Sequence, residues 1–411
     1  MRQNSHLPLI TCLGAVTLAA SLWGCALLGT DQNQAAAPPV QPIPFDEAVL
    51  KAANDLFSRA PAPDAGAGGS AKHILVIDPL IDGMSGEQSV ATRSIEARLV
   101  ELVKSKYPQF TVQPFSAQTV AKSPIVLVGT FTGVNQEGKT EGVREAYRIC
   151  LALADLKSGK IVSKGVARAK PEGVNITPTA YFKDSPAWAL DQATEGYIKS
   201  CQGTKSGDPI NPAYADRILT AAVVSEAIDA YNNRQYRKAL ELYQGALRSP
   251  EGEQLRVYNG LYLTSWKLGQ RTGATQAFGK IVDYGLANKR LAVKLLFKPG
   301  STDFLADRDI SGQYPIWLNQ IAGRTARNQG CLEVVGHSSR TGPEPVNERL
   351  SLLRAESVKT KLERNAAALR GRTIANGVGS KENLIGTGTD DVKDALDRRV
   401  VFKVIQCPAS S

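Results

Sequence analysis

The apolar positions between residues 72 and 204 alternate between strand spacing and helix spacing. Strand-like runs are HILVIDPLID, FTVQPF and PIVLVGTFTGV, and the stretch VATRSIEARLVELVKSKY has helical periodicity. The stretch YRICLALADLKSGKIVSKGVARA predicts a hairpin, because two alternating strands flank a turn in which Gly159 can take a positive φ. A predicted helix ends the region at Cys201. We therefore predict an α/β, sandwich-like domain over residues 72–204.

Residues 205–290 predict helices with an internal repeat. Two segments share nearly the same spacing of small and aromatic positions: Tyr236, Ala239, Tyr243, Ala246 and Pro250 in the first, and Gly269, Ala274 and Phe278 in the second. The separation of Ala239 and Ala274 is close to the ~34-residue period of tetratricopeptide repeats, which this region resembles. Two such units bury little apolar surface, so we expect this TPR-like helical module to pack on a neighbouring domain. Its function would be either a protein-docking groove or a helical spacer.

Residues 291–411 predict the element order β-α-β-α-β-(α)-β. The strand-like segments are LAVKLLF, CLEVVGH, NLIGTGT and DRRVVFKVIQC. One helix is predicted from Gln313 to Arg327, and a second contains NERLSLLRAESV. The chain as a whole is predicted to be α+β and multidomain.

The second of these helices has a cation within its apolar stripe. The stripe is predicted to consist of Val346, Leu350, Leu353, Val358 and Leu362. Arg354 lies one turn from two of them, and a half-buried charge normally has a partner. The preceding loop, HSSR, has no carboxylate. The anion is therefore expected from another part of the chain or from a ligand.

The composition of the chain gives it a net positive charge. The chain has 411 residues, 43% hydrophobic content and a formal net charge of +10. This charge suits anionic surfaces such as phospholipid head groups or cell-wall carboxylates. It is spread along the chain without a basic tract or interleaved aromatic residues, so no nucleic-acid partner is predicted.

The N terminus predicts export. The apolar run LPLITCLGAVTLAASLWG has the length of a signal segment, and LWGC, which ends at Cys25, resembles a bacterial lipobox. Residues 1–24 are thus a predicted lipoprotein signal peptide, and Cys25 is the predicted lipidation site. Ala26 favours the outer membrane by resemblance to enterobacterial sorting. Trp23 is bulkier than the residue usual in a lipobox, so an ordinary secretory signal is the alternative.

Residues 25–71 are predicted to be an anchor and linker. The stretches TDQNQAAAPPVQPIP and PAPDAGAGGSAK are extended or flexible in composition. They flank FDEAVLKAANDLFSRA, a short amphipathic helix that begins at Phe45.

Four cysteines remain after the signal and the anchor. An oxidising periplasm would permit disulfides, and four cysteines allow three pairings. Cys331 begins one predicted strand and Cys407 ends another, so antiparallel neighbours would bring these two together. We predict Cys331 with Cys407 and Cys150 with Cys201, with four buried free thiols as the alternative.

The C-terminal motifs resemble a known family. LEVVGHSSRTG, NERLSLLRAESV and LDRRVVF are similar to the OmpA C-terminal domain, shared by peptidoglycan-associated lipoproteins and flagellar MotB proteins. The resemblance implies non-covalent binding of peptidoglycan whose stem peptide carries diaminopimelate. The strand VGTFTG and hairpin DLKSGKIVSKG resemble periplasmic lipoproteins of the penicillin-binding-protein-activator and CsgG type.

The resemblance also implies site residues. In the family, the arginine of the L-S-x-x-R-A helix takes the diaminopimelate carboxylate, and Arg354 matches it. The aspartate of the G-H-T-D loop takes the ammonium, but this chain has Ser339 there. The family often has an aspartate after its phenylalanine, whereas here Lys298 follows Phe297. The candidate ligand-binding residues are Arg354, Ser339, Asn347, Arg340 and Phe297.

Loss of the aspartate leaves three interpretations of this site open. A missing ionic hydrogen bond would weaken binding by roughly 1.5–3 kcal/mol. The domain could still bind peptidoglycan, could prefer a modified stem peptide such as an amidated one, or could be a scaffold with Arg354 paired internally, to Glu333, Glu356 or Asp397.

No catalytic residues, cofactor or metal are predicted. The three histidines include one in the signal segment, and no motif arranges a nucleophile with His337. Asp78 and Asp82 lack the second pair of acids a glycosidase interpretation would need.

The predicted function is an outer-membrane lipoprotein, facing the periplasm, that binds peptidoglycan and meets an envelope protein partner through residues 72–290. The alternative is an assembly component of a secretion or export machine that does not bind the wall.

Overall fold

The computed structural model describes residues 41–61, 72–385, 388 and 393–407. Two β-sheets form the framework of the fold within these ranges. The predicted signal peptide and Cys25 lie outside these residues. None of the helices within these ranges combines the length and the apolar character that crossing a membrane requires.

The first sheet has the strand order β2-β1-β3-β4-β5. Its strands are β1 His73–Ile77, β2 Phe110–Gln113, β3 Ile125–Val134, β4 Ala146–Asp155 and β5 Lys160–Ala169. β1 pairs in parallel with β2 and β3, whereas β3, β4 and β5 are antiparallel. Gly159 has a φ of 69° in the turn between β4 and β5. The predicted strands and hairpin of this region are confirmed.

Helices pack on this sheet: α1 Phe45–Ser58, α2 Val90–Lys106, α3 Ala117–Val120 and α5 Gln192–Gln202. The short helix α4 Ala180–Asp184 instead buries Tyr181 and Phe182 in the core of the helical region that follows. The predicted helix at Phe45 is confirmed, but α1 is a buried part of the fold rather than part of a tether. Gly165 of β5 permits the close approach of α1, since a Cβ there would collide with the carbonyl oxygen of Ala52. The Ser163 hydroxyl also donates to the Leu56 carbonyl (2.6 Å).

The next region is helical, as predicted. It contains α6 Pro212–Ala215, α7 Ile218–Asn232, α8 Tyr236–Leu247, α9 Leu255–Lys267 and α10 Arg271–Ala287. The repeated positions Ala239, Tyr243, Ala274 and Phe278 are buried. One apolar core joins these helices to the C-terminal region; for example, the rings of Phe278 and Trp317 stack with centroids 5.4 Å apart. The helices therefore pack on a neighbour, as expected of so small a module.

The C-terminal sheet has the order β6-β9-β7-β8. Its elements are β6 Leu295–Leu296, α11 Arg308–Ser311, α12 Tyr314–Arg327, β7 Cys331–Gly336, α13 Glu344–Asn365, a 3-10 helix Ala367–Leu369, β8 Thr373–Gly377, a 3-10 helix Lys393–Leu396 and β9 Arg399–Ile405. β9 lies between β6 and β7 and is antiparallel to both, and β8 is parallel to β7.

The third strand that the structure describes in this region is β8, with the sequence TIANG, which was not predicted. It precedes the predicted segment NLIGTGT, of which residues 386, 387 and 389 lie outside the described residues. Asn and Gly are depleted in strands, so local propensity does not mark this segment. Pairing with the buried strand β7, from Leu332 with Thr373 to Gly336 with Gly377, specifies the strand instead.

Both predicted disulfides are confirmed. Cys150 pairs with Cys201, with Cα atoms 6.1 Å apart, and Cys331 pairs with Cys407, with Cα atoms 5.2 Å apart. The antiparallel pairing of β7 with β9 places Cys331 opposite Ile405, two residues before Cys407. The strand geometry thus explains the second pairing.

Removing the Cys331–Cys407 disulfide should lower stability. The bond joins cysteines separated by 76 positions, and opening so long a loop should lower the free energy of unfolding by about 2–4 kcal/mol. We expect the double variant Cys331→Ala/Cys407→Ala to unfold at lower urea concentration than the wild type. Wild-type protein treated with a reductant, which also opens Cys150–Cys201, should shift at least as far. An unchanged unfolding midpoint would contradict a structural role for this bond.

Candidate functional site

The buried face of α13 matches the predicted apolar stripe only at Val358 and Leu362. Its buried residues are Asn347, Ser351, Arg354, Ala355, Val358 and Leu362. Val346 and Leu353 are instead 59% and 36% exposed. Small and polar residues face the sheet because its glycines bring the backbone close: a Cβ at Gly336 would collide with the Ser351 carbonyl. Arg354 is therefore more deeply buried than predicted, at 0% exposure.

Arg354 is bonded to the backbone of two loops. Its Nε donates to the Ser301 carbonyl (2.9 Å), its Nη2 to the Lys298 carbonyl (2.9 Å) and its Nη1 to the His337 carbonyl (3.0 Å). A guanidinium has five N–H groups in a planar fork, and three of them fix the segments after β6 and β7. We refer to Arg354 with residues 297–301 and 337–340 as the Arg354 site.

The other candidate residues lie on the segments around Arg354 and differ in exposure. The Phe297 ring centroid lies 5.4 Å from the Arg354 guanidinium carbon, and Phe297 is fully buried. Ser339 is 6% exposed, in the loop that follows β7. Asn347 is 4% exposed, and its Nδ2 donates to the Gly342 carbonyl at 3.4 Å. Arg340 is exposed.

His337 is buried and held neutral at this site. Burial lowers the pKa of its imidazole well below the ordinary value, and the charges of Arg399 and Lys403 act in the same direction. Neither ring nitrogen has a hydrogen-bond partner among the described residues, and Nδ1 lies 3.8 Å from a carboxylate oxygen of Glu382.

Sequence reasoning missed the contact that the α/β region makes with this site. Arg144, between β3 and β4, donates to the Asn383 carbonyl at 2.8 Å. The Asn383 side chain in turn donates to the Ser338 carbonyl at 3.3 Å. No sequence pattern marks Arg144, because both acceptors in this chain of bonds are backbone groups.

A second contact between these regions is a buried ion pair. Lys294 Nζ lies 2.7 Å from Glu87 Oε1, with side chains 5% and 6% exposed, and 4.2 Å from the Trp188 ring centroid. Burial raises the pKa of Glu87, and the positive charge of Lys294 opposes this shift. Segment 186–188 pairs here with residues 292–294: Trp188 N–H donates to the Ala292 carbonyl and Lys294 N–H to the Pro186 carbonyl, both at 3.0 Å.

Asp78 and Asp82 have separate structural surroundings. The Tyr214 hydroxyl donates to Asp78 Oδ2 at 2.7 Å. Asp82 Oδ1 accepts from the backbone N–H groups of Met84 and Ser85, at 2.9 and 2.7 Å. Burial raises the pKa of both carboxyl groups, that of Asp78 to about 7. Within the described ranges, no cluster of three His, Cys, Asp or Glu residues has a metal-binding arrangement.

Comparisons with known proteins give partial likenesses. No protein-family model matches the chain, and no curated protein matches it. The peptidoglycan-associated lipoprotein from Burkholderia pseudomallei is 22% identical over 27% of this chain and 89% of its own, with a TM-score of 0.23. The cell wall anchor of the T6SS from Pseudomonas aeruginosa is 22% identical over 31% of this chain and 96% of its own, with a TM-score of 0.23. The periplasmic domain of Helicobacter pylori MotB is 15% identical over 27% of this chain and 71% of its own, with a TM-score of 0.22. Similarity at this level does not assign the chain to a family.

Proposed function

We propose that this chain is a lipid-anchored envelope protein whose C-terminal region binds peptidoglycan non-covalently. In this proposal Cys25 holds the protein at the outer membrane, and the folded part faces the periplasm. The surface of residues 72–290 meets an envelope protein partner. The protein acts by binding rather than by catalysis.

The Arg354 site is the observation that carries this proposal. The residues that resemble the OmpA-like motif come together there: a cation on α13, an aromatic ring beside it and the loop that contains Ser339. Diaminopimelate presents a carboxylate, which suits a guanidinium. Its ammonium would meet the Ser339 hydroxyl, an acceptor without charge. Binding through Arg354 would require the two loops that cover it to open.

A scaffold function is the second candidate, and the burial of Arg354 favours it. The guanidinium is fully buried and donates three hydrogen bonds to backbone carbonyls, which is a fold-stabilising arrangement. On this interpretation the C-terminal region makes protein contacts in an envelope machine and does not bind the wall.

A sedimentation assay with purified sacculi separates the two functions. We expect the wild-type chain to sediment with intact sacculi and to be released into the supernatant by an excess of soluble stem peptide that carries diaminopimelate. A soluble peptide of equal charge without diaminopimelate controls for attraction between a protein of net charge +10 and an anionic polymer, and it should release little protein.

Ser339→Asp should bind intact sacculi about tenfold to a hundredfold more tightly, because one ionic hydrogen bond is worth about 1.5–3 kcal/mol. Thr302→Asp is the matched control, since it adds the same charge at an exposed position near the site and should change little. Arg354→Met should lose binding, but it also leaves buried carbonyls without a donor, so its thermal unfolding must be measured beside it. Wild type that stays in the supernatant, together with no gain from Ser339→Asp, would support the scaffold.

A further inference from the structure

A second site lies between the α/β region and the C-terminal region. It is a cavity of about 590 Å³, lined by residues from segments 176–185, 294–317 and 385–398. Neither Arg354 nor Ser339 lines it, so it is separate from the Arg354 site. Its volume is within the roughly 300–1,000 Å³ of small-molecule sites, which commonly occur where domains meet.

The described lining is mostly aliphatic. Its apolar members are Ile176, Pro178, Phe182, Leu296, Leu305, Ala306, Ile310, Tyr314, Trp317, Ile385, Ala395 and Leu396. Phe182, Tyr314 and Trp317 are each 1% exposed, so the packed core holds these rings in place. Uncharged hydrogen-bonding side chains are few, chiefly Thr177 and Ser185. A fitting ligand therefore has a long body without polar groups.

The charged lining residues favour an anionic head group. Among the described residues they are Lys183, Lys294, Arg398 and Asp307. Glu87 neutralises Lys294, and Asp307 caps α11 by accepting from the Asp309 N–H at 2.9 Å. Arg398 is 3% exposed, and its Nε donates to the Phe297 carbonyl at 3.3 Å. Lys183 is exposed and lies on the short helix α4, where it can meet a ligand head group at the solvent edge.

We propose that this cavity binds a single-chain anionic amphiphile. The aliphatic chain occupies the apolar part, and a carboxylate or phosphate head group lies near Lys183. A free fatty acid and a lysophospholipid share this chemistry. The site does not depend on peptidoglycan binding.

Titration with cis-parinaric acid, a fluorescent anionic fatty acid, tests the proposal on the full chain. We expect saturable binding at one site per chain. Oleate should displace the probe if the head group is a carboxylate, and lysophosphatidylglycerol below its micellar concentration should displace it if the head group is a phosphate.

Bulky residues at the cavity edge should block binding. Thr177 and Ala306 line the cavity from opposite regions and are exposed, so Thr177→Trp and Ala306→Trp should fold normally. Each should weaken probe binding at least tenfold. Ala121→Trp, at an exposed position outside the cavity lining, is the control and should bind as the wild type does. Lys183→Glu should weaken binding of parinaric acid several-fold while leaving the uncharged chain of dodecanol bound equally well.

Absence of saturable binding to the wild type would overturn the proposal. Equal binding by the wild type and both tryptophan variants would also overturn it, because the probe would then bind elsewhere. Equal loss of parinaric acid and dodecanol in Lys183→Glu would refute the anionic head group. Sacculus binding, measured on the same variants, should stay at the wild-type level, which separates this site from the proposed function.

Discussion

Replacing Lys294 with methionine should lower the free energy of unfolding by about 3–5 kcal/mol, because Glu87 would keep a buried carboxyl group without its cation. The pair joins the α/β region to the start of β6, and both side chains are almost fully buried. Burial already raises the pKa of Glu87, so protonation would relieve part of this loss. The destabilisation should therefore be larger at pH 8 than at pH 5, as measured by urea unfolding at both values.

The double variant Glu87→Leu/Lys294→Met tests whether the destabilisation by Lys294→Met comes from the unpaired buried charge or from a simple loss of contacts. Removing both charges together should recover most of the loss, since apolar replacements of buried pairs are often close to neutral. The exposed pair Lys51–Asp55, with side chains 50% and 33% exposed, supplies the control. Lys51→Met should change stability by less than about 1 kcal/mol. Additive losses in the Glu87/Lys294 double variant would contradict the expected coupling.

Asp78→Asn should stabilise the protein at neutral and alkaline pH. In the folded state burial raises the pKa of Asp78 from 3.8 to about 7, while the hydrogen bond from Tyr214 and the charge of Arg256 oppose this rise. A carboxyl group whose pKa is higher in the folded state than in the unfolded state contributes fully to stability below about pH 4. That contribution is lost as the pH rises to about 7. The loss is on the order of 4 kcal/mol at most. The asparagine variant should avoid it, because its side-chain oxygen can still accept from Tyr214.

The measurement is urea unfolding of wild type and Asp78→Asn from pH 4 to pH 8. Stability of the wild type should fall more steeply with pH than that of the variant. Part of the fall should persist in the variant, since burial also raises the pKa of Glu96, to about 6. Asp46→Asn, at a side chain 63% exposed, is the control and should follow the wild type. Parallel curves for wild type and Asp78→Asn would refute the assigned role of Asp78.

Long apolar strands and marked turns made much of the fold predictable. β3 is buried along its whole length, and the hairpin of β4 and β5 carries its own turn signal at Gly159. The pairing of Cys331 with Cys407 followed from strand ends that meet in an antiparallel sheet. In each case a local pattern and the tertiary structure agree.

The surroundings of Arg354 were not predictable from periodicity. Val346 and Leu353 are apolar but exposed, whereas Asn347 and Ser351 are polar but buried. Ser351 is buried because it has a hydrogen-bonding role: its hydroxyl accepts from the Gly379 N–H at 3.0 Å. An apolar side chain at this position would leave that donor without its partner. The three backbone carbonyls that accept from Arg354 were likewise not predictable, since every residue carries such a group.

The stacking of Phe278 on Trp317 extends across the predicted boundary between the helical module and the C-terminal region. Arg324 of α12 also forms an ion pair with Asp283 of α10 at the same contact. A chain cut between residues 290 and 291 would expose both surfaces to water. We therefore expect the C-terminal region to be less stable as an isolated fragment than in the full chain. In the intact protein the same contact restrains the two regions from moving as separate bodies.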